Sequence, residues 1–183
     1  MRNIIDWKLY DKLTVATGGT QLNFTFFKQQ TGGTVTLETT NLDLAGQIPK
    51  LHEFVIQQIV VRAIPAVAQI NAYAYVLDQV ALTHAGHLQL FIGGGRPFFQ
   101  DTMLGVIGGG LAGMIATADS SVNKSMFYAQ ARIFESAKLE YMPKIDWNTA
   151  FEVKIDYPAA PTLVANTVLE MKLLGKLVRP NSA

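Results

Sequence analysis

The glycines at residues 106–114 are the part of this sequence that could most readily carry chemistry. The segment reads VIGGGLAGM, and its glycines satisfy the spacing G-x-G-x-x-G. In dinucleotide-binding enzymes such glycines let a pyrophosphate approach the N-terminus of a helix. Glu135 follows an apolar pair and could supply the acid that binds the ribose. The motif therefore raises the hypothesis of a flavin or nicotinamide enzyme that binds its cofactor at Gly108–Gly113.

The residues around this motif argue against that hypothesis. The fingerprint should open a β-α-β unit with an amphipathic helix after the glycines. Residues 116–125 instead read ATADSSVNKS, which is a poor helix. Glu135 lies 27 residues after Gly108, whereas the ribose-binding acid is expected after about 20. A dinucleotide-binding enzyme is therefore the weakest of the functions considered.

The remaining polar residues form no recognisable active site. His84 and His87 are three residues apart, but a glycine lies between them and no third ligand is close in sequence. The chain has no cysteine, so a thiol nucleophile is excluded. The carboxylates with no acidic partner nearby include Asp43, Asp78, Asp101 and Asp119. We therefore predict no catalytic residue, no metal ligand, no cofactor and no enzyme activity.

Several aromatic side chains could form a sugar-binding platform. They are Trp7, Tyr10, Phe24, Phe27, Phe98, Phe99 and Trp147. Packing in a core or between subunits is the commoner fate of such side chains. A carbohydrate-binding, lectin-like protein is therefore kept as an alternative function.

Alternation of apolar and polar residues with a period of two dominates the chain and predicts β-strands. Each such strand buries one face and leaves the other wetter, as is typical of antiparallel sandwiches and barrels. The segments with this pattern are 21–26, 34–38, 87–92, 150–157 and 169–177. Gly and Pro residues separate them, which also favours a sandwich or barrel.

The apolar run Phe54–Ile64 predicts a central strand with an irregularity. The apolar residues Phe54 and Ile56 have even numbers, whereas Ile59 and Val61 have odd numbers. Two glutamines lie between the two pairs. A β-bulge at this point would reset the register. A strand that is buried on both faces is the alternative.

Two further segments depart from the strand pattern. Ala66–Leu82 contains apolar residues with three- and four-residue spacing, which predicts a short helix. Met103–Ala118 is apolar and rich in glycine but shorter than the roughly 20 residues of a membrane-spanning helix. We predict a long Gly-rich loop here that contacts lipid or a neighbouring subunit, because exposed apolar surface marks an interface.

Composition predicts a protein that associates with others. Charged residues make up 16% of the chain, hydrophobic residues make up 49%, and the net charge is +1. A typical soluble domain carries about 25% charged residues, and charged surface keeps monomers dispersed. The chain has no basic stripe or arm, so we expect no direct contact with nucleic acid. The N-terminal residues also lack the apolar core of a signal peptide.

The order of these features resembles a family of viral proteins over residues 40–180. The segments that carry the resemblance are Asn41-Leu42, Gly46, Pro49, Phe54–Val61, His87–Gly93, Phe151–Ile155, Val168–Leu177 with Leu174-Gly175, and Arg179-Pro180. They look like the single jelly-roll major capsid proteins of tailless icosahedral phages and archaeal viruses that have an internal membrane. The Gly-rich segment Met103–Ala118 departs from the pattern of that family.

The length of the chain and the absence of a linker predict one domain over residues 1–183, in which residues 1–20 are expected to form an N-terminal arm or contact segment. The resemblance implies a single jelly-roll β-sandwich of two antiparallel four-stranded sheets. The expected function is that of a structural subunit of an icosahedral capsid, which self-associates into capsomers. The implied partners are a second capsid protein and an internal lipid membrane. The protein would be made in the host cytoplasm and reside in the virion.

Overall fold

Two antiparallel β-sheets packed face to face form the protein. A computed structural model describes residues 3–28, 40–42, 46–65, 77–78, 80–82, 85–103, 132–133 and 142–179. Within these ranges the chain forms nine strands, and residues 77–78 and 80–82 are helical. The predicted fold class, an all-β sandwich with one short helix, is confirmed.

The first sheet contains the three longest strands, β1 (Asn3–Val15), β3 (Glu53–Pro65) and β9 (Thr167–Arg179). Strand β9 lies between the other two and pairs antiparallel with both. The far edge of β3 pairs with two short strands, β6 (Arg132–Ile133) and β7 (Lys144–Asp146). The sheet therefore contains five strands but is four strands wide, because β6 and β7 both pair with the same edge of β3.

The second sheet has four shorter strands in the order β2-β8-β4-β5. They are β2 (Asn23–Phe26), β4 (His87–Ile92), β5 (Phe99–Thr102) and β8 (Phe151–Asp156). Residues 93–95 begin the turn from β4 to β5, and all three are glycines with positive φ, a conformation that other residues rarely adopt. The prediction of two antiparallel four-stranded sheets is confirmed, with the outermost strand of the first sheet divided into β6 and β7.

The strands pair in a nested order, in which strands from the start of the chain pair with strands from its end and the innermost pair is a hairpin. Strand β1 pairs with β9, β2 with β8, β3 with β6 and β7, and β4 with β5. The pairs β3·β9 and β4·β8 then join these nested hairpins into the two sheets. As a result, the chain alternates between the sheets from β1 to β4, and the first and last strands lie side by side.

A β-bulge in β3 changes which of its side chains face the core. The pairing with β9 shifts between Ile56 and Gln58. Phe54 and Ile56 are buried before the shift, and Ile59 and Val61 are buried after it. The bulge expected from the sequence is therefore confirmed, together with the central position of this strand.

The core lies between the inner faces of the two sheets. Alternate side chains of β1, β2, β4, β8 and β9, and of β3 on either side of its bulge, are buried there, as the period-two pattern predicts. The fully buried members with the largest side chains are Leu9, Phe26, Phe54, Ile56, Ile59, Leu82, Leu88, Leu90, Met103, Ile145, Ile155 and Leu169. Met103, the first residue of the predicted Gly-rich loop, is thus a core residue.

Strand β1 was not predicted from the sequence, which offered residues 1–20 only as an arm or contact segment. Residues 3–15 pair with β9 along their whole length. Asp11 occupies an inward position in this strand and is buried. This charged residue interrupts the alternation of apolar and polar residues that would have predicted the strand.

Three predicted features fall wholly or partly outside the described residues. They are the strand at 34–38, the helix Ala66–Leu82 apart from its helical residues 77–78 and 80–82, and the loop Met103–Ala118 beyond Met103. The β4 and β8 predictions are confirmed closely, while β2 begins at Asn23 and leaves Leu22 exposed instead of buried.

Candidate interaction surface

The large apolar side chains that are exposed in the described residues lie at the two ends of the sandwich. At one end, Ile4 of β1 belongs to a cross-strand row that continues through β9 and β3 to Asp146 of β7. Trp147 follows directly and donates its backbone N–H to the carbonyl of His52, next to Leu51. We call this end the Trp147 end; its exposed apolar residues are Ile4, Trp7, Leu51, Phe98 and Trp147.

The opposite end carries a second group of exposed apolar side chains. Val164 lies just before β9, and its backbone N–H bonds the carboxylate of Asp78, the neighbour of Leu77. Ile64 pairs with Val168 at the start of β9, and Leu22 accepts a hydrogen bond from the N–H that follows β8. We call this the Val164 end; its exposed apolar residues are Leu22, Ile64, Leu77 and Val164.

Asp78 and Tyr157 fix the chain at the Val164 end. The buried carboxylate of Asp78 accepts hydrogen bonds from the N–H groups of Val164 and Ala165, at 2.6 and 2.9 Å, and from the hydroxyl of Thr167 at 3.2 Å. The Tyr157 hydroxyl donates to the carbonyl of Leu82 at 2.6 Å, and its burial raises the pKa of that hydroxyl above its usual range. The helical residues are thereby tied to the segment that leads into β9, which holds the exposed Val164 in place.

A small cavity opens at the Trp147 end. Its volume is about 190 Å³, and it is lined by Phe27, Lys28, Gly46, Phe91, Gly94, Ala150, Phe151 and Glu152. The walls are mainly apolar, and the charged Lys28 and Glu152 also line it. Lys154 stacks on the ring of Phe91 with its Nζ 4.7 Å from the centroid. This cavity could accept one apolar side chain, but it contains no arrangement of acid, base and nucleophile.

Asp11 stabilises the strained backbone beside this cavity. Phe27 has a φ of +64°, which is costly for a residue with a side chain. Its N–H donates to Oδ2 of Asp11 at 2.6 Å, and the N–H of Lys12 donates to Oδ1 at 3.0 Å. Burial raises the pKa of Asp11 to about 6, and the hydrogen bond from Phe27 opposes this shift. Asp11 therefore has a structural role that its position in the sequence did not suggest.

The outer face of the first sheet carries a cluster of charges around Glu170. Lys12, Glu170 and Arg62 lie in one cross-strand row of β1, β9 and β3. The Glu170 carboxylate lies 3.8 Å from Lys12, 3.7 Å from Arg62 and 2.8 Å from Lys172. Glu170 is only 5% exposed, so three cations share one shielded carboxylate and the cluster is positively charged.

The free edge of β1 is covered over only part of its length by described residues. The side-chain amide of Asn41 accepts a hydrogen bond from the N–H of Tyr10 at 2.9 Å and donates one to the carbonyl of Lys8 at 2.7 Å. Asp11 forms a β-bridge with Thr40 just beyond. No described residue pairs with the edge between Asn3 and Trp7, where the side chains of Ile4 and Trp7 are exposed.

The structure does not assemble the other sites considered from the sequence. The glycines of Gly108–Gly113, as well as His84, Glu135, Asp43 and Asp119, lie outside the described residues. Asp78 accepts hydrogen bonds from backbone N–H groups, Asp101 accepts one from the N–H of the next residue, and His87 lies in β4 opposite Thr102 and Asp156. No group of three His, Asp or Glu side chains suited to a metal occurs within the described ranges.

The aromatic residues considered for sugar binding are dispersed. Phe24 and Phe27 are buried in the core, and Phe99 packs against it. Trp7 and Trp147 are exposed, but they lie at opposite edges of the first sheet, ~14 Å apart across three strand spacings. They are also displaced along the strands, because Trp7 lies level with Ile56 and Trp147 bonds the carbonyl of His52. These two residues therefore do not form one continuous platform.

The comparisons with known proteins find no matching family model, no matching curated protein and no matching solved structure. Among the described residues, no helix has the length and apolar character needed to cross a membrane.

Proposed function

We propose that this protein is a structural subunit of an icosahedral viral capsid, with a single jelly-roll fold. The observation that carries the proposal is the nested pairing of β1 with β9, β2 with β8, β3 with β6 and β7, and β4 with β5. An eight-stranded jelly roll is a two-sheet sandwich of this kind, and viral capsid domains use it widely. Lectins and cupins also use the jelly-roll fold. The choice between a capsid subunit and these proteins therefore depends on the surface of the molecule.

The distribution of apolar side chains favours assembly. The exposed large apolar residues of the described chain lie at the Trp147 and Val164 ends, whereas the outward side chains of β8, in the second sheet, are Glu152, Lys154 and Asp156. Exposed apolar patches normally mark contacts with other molecules, and a shell subunit needs contacts on more than one side. The low content of charged residues fits a surface that neighbouring subunits cover.

Other parts of the proposal follow from the resemblance. These are a second capsid protein as partner, an internal lipid membrane beneath the shell, residence in the virion, and no direct contact with the genome. The cysteine-free, sparsely charged chain with no basic arm is compatible with each of them.

Electron microscopy and light scattering of the concentrated, purified chain test the proposal. We expect rings, sheets or shell fragments whose mean mass rises with concentration. Leu51→Asp should weaken this association, because it places a charge on the exposed Trp147 end at a residue with φ of +65°, where Asp is tolerated. Gln100→Asp, on the exposed outer face of the second sheet, is the matched control. A chain that remains monomeric up to millimolar concentration would contradict the proposal.

A further inference from the structure

We propose that the edge of β1 over residues Asn3–Trp7, which pairs with none of the described residues, pairs antiparallel with the same edge of a second copy. This contact rests on the proposed function, because it would be one of the subunit contacts of the shell. It would join the first sheets of two copies into one continuous sheet through β1.

The direction of the backbone groups along β1 is set by Asn41. Its amide bonds the carbonyl of Lys8 and the N–H of Tyr10, so these groups point away from β9. Backbone groups in a strand alternate from one edge to the other with a period of two. The N–H and C=O groups of Ile4 and Asp6 therefore also point outward, and no described residue binds them.

An edge of this kind is normally protected in a monomer. Proteins use Lys, Pro, bulges or a covering segment to prevent edge-to-edge pairing. Beyond Trp7, Asn41 and the bridge from Thr40 to Asp11 provide such a cover. Residues 3–7 have no cover among the described residues, and exposed Ile4 and Trp7 add apolar surface beside the open edge.

A second copy offers the same outward backbone groups of Ile4 and Asp6, and the side chains and Asn41 restrict its register. Pairing Asp6 with its own copy would oppose two carboxylates, which is unfavourable. A register shifted toward Lys8 and Tyr10 would need backbone groups that Asn41 already binds. Pairing Ile4 with Asp6 of the second copy avoids both problems.

In this register residues 3–7 of one copy match residues 3–7 of the other. Ile5 lies on the two-fold axis opposite Ile5 of the second copy, and Trp7 lies beside its Asn3. The outward groups of Ile4 and Asp6 form four backbone hydrogen bonds with the second copy. The contact is isologous, so the two copies use the same patch.

A proline substitution tests the pairing without disturbing the fold. Asp6→Pro removes an outward N–H but none of the hydrogen bonds to β9, and proline is tolerated where the N–H of an edge strand faces solvent. We expect the dissociation constant of the pair to rise by more than about tenfold. Thr14→Pro, at an outward position near the other end of β1, controls for proline. Asp6→Asn controls for loss of the contact with Lys176. Circular dichroism and thermal unfolding verify that each variant folds.

Disulfide trapping tests the register, because the natural chain has no cysteine. Two Ile5→Cys chains should form a covalent dimer on mild oxidation, since residues in a non-hydrogen-bonded antiparallel pair have Cα atoms about 4.5 Å apart. Ile4→Cys and Thr14→Cys should not, because neither residue faces its own copy in this register. Crosslinking at Ile4→Cys alone, or at none of these positions, would overturn the proposal.

The two proposals fail in different ways. If the wild-type chain associates but Asp6→Pro associates equally well and Ile5→Cys does not crosslink, edge pairing is wrong and the capsid proposal stands. If the wild-type chain does not associate at all, the capsid proposal itself is contradicted.

Discussion

A Cβ atom on Gly175 would collide with the backbone carbonyl oxygen of Val55. Gly175 lies inside β9, opposite Ile56 at the β-bulge of β3 and opposite Trp7 of β1. The bulge brings the backbones of β3 and β9 together. At this position the core-facing residues of β3 change from even to odd numbers. The central pair of the first sheet therefore depends on a residue without a side chain.

Replacing Gly175 by alanine should destabilise the protein severely. The added Cβ would force β3 and β9 apart at their bulge, which we expect to cost about 3 kcal/mol or more of unfolding free energy. Gly94→Ala is the control, because its added Cβ would meet nothing within 4 Å and only the positive φ is penalised, by about 1 to 2 kcal/mol. Urea unfolding of both variants measures the difference. Equal losses would show that the contact with Val55 does not limit the packing.

Removing the Asp78 carboxylate should loosen the Val164 end. Asp78→Ala leaves the N–H groups of Val164 and Ala165 and the Thr167 hydroxyl without their acceptor. We expect a loss of about 3 kcal/mol in unfolding free energy. Thr167→Val removes one of the three hydrogen bonds and should cost about 1 kcal/mol. Amide hydrogen exchange at residues 164–165 should rise in Asp78→Ala; unchanged exchange would contradict the assigned role.

Asp11 should make stability depend on pH in a defined window. Its pKa is about 6 in the folded protein, against an ordinary value of 3.8. Between these pH values the folded chain keeps a proton that the unfolded chain has released, so the unfolding free energy falls as pH rises. The loss attributable to Asp11 is about 3 kcal/mol. Comparing urea unfolding of wild type and Asp11→Asn from pH 3.5 to pH 7 measures it; parallel curves would rule out the effect.

Neutralising Glu170 should expose a repulsion between three cations. In Glu170→Gln, Lys12, Arg62 and Lys172 lose their shared carboxylate. We expect a loss of about 1 to 3 kcal/mol at low salt that shrinks as salt is added. Asp6→Asn, which removes an ion pair with a side chain that is 84% exposed, should change stability little. A loss that does not vary with salt would point to packing as the cause.

Much of the sandwich could be predicted because its strands follow simple alternation. The change of parity between Ile56 and Ile59 is visible in the sequence, and it locates the bulge. Strand β1 was missed because a charged residue, Asp11, stands where an apolar one is expected. Its burial is tolerated because Phe27, 16 residues away, donates a hydrogen bond to it.

The interaction surface could not be predicted, because it depends on which strands become neighbours. Ile4 and Trp147 reach the same end only through the registers of β1, β9, β3 and β7. The boundary of the open edge is likewise set by Asn41, which lies 31 residues from its partner Tyr10. No local pattern in the sequence encodes either relationship.

Sedimentation velocity of the wild-type chain over a range of concentrations tests the central claim most directly. We predict that the mean sedimentation coefficient rises with concentration from a small oligomer toward larger assemblies. A single species with the 20.0 kDa mass of one chain at every concentration, up to the millimolar range, would contradict the proposal that this protein is a shell subunit.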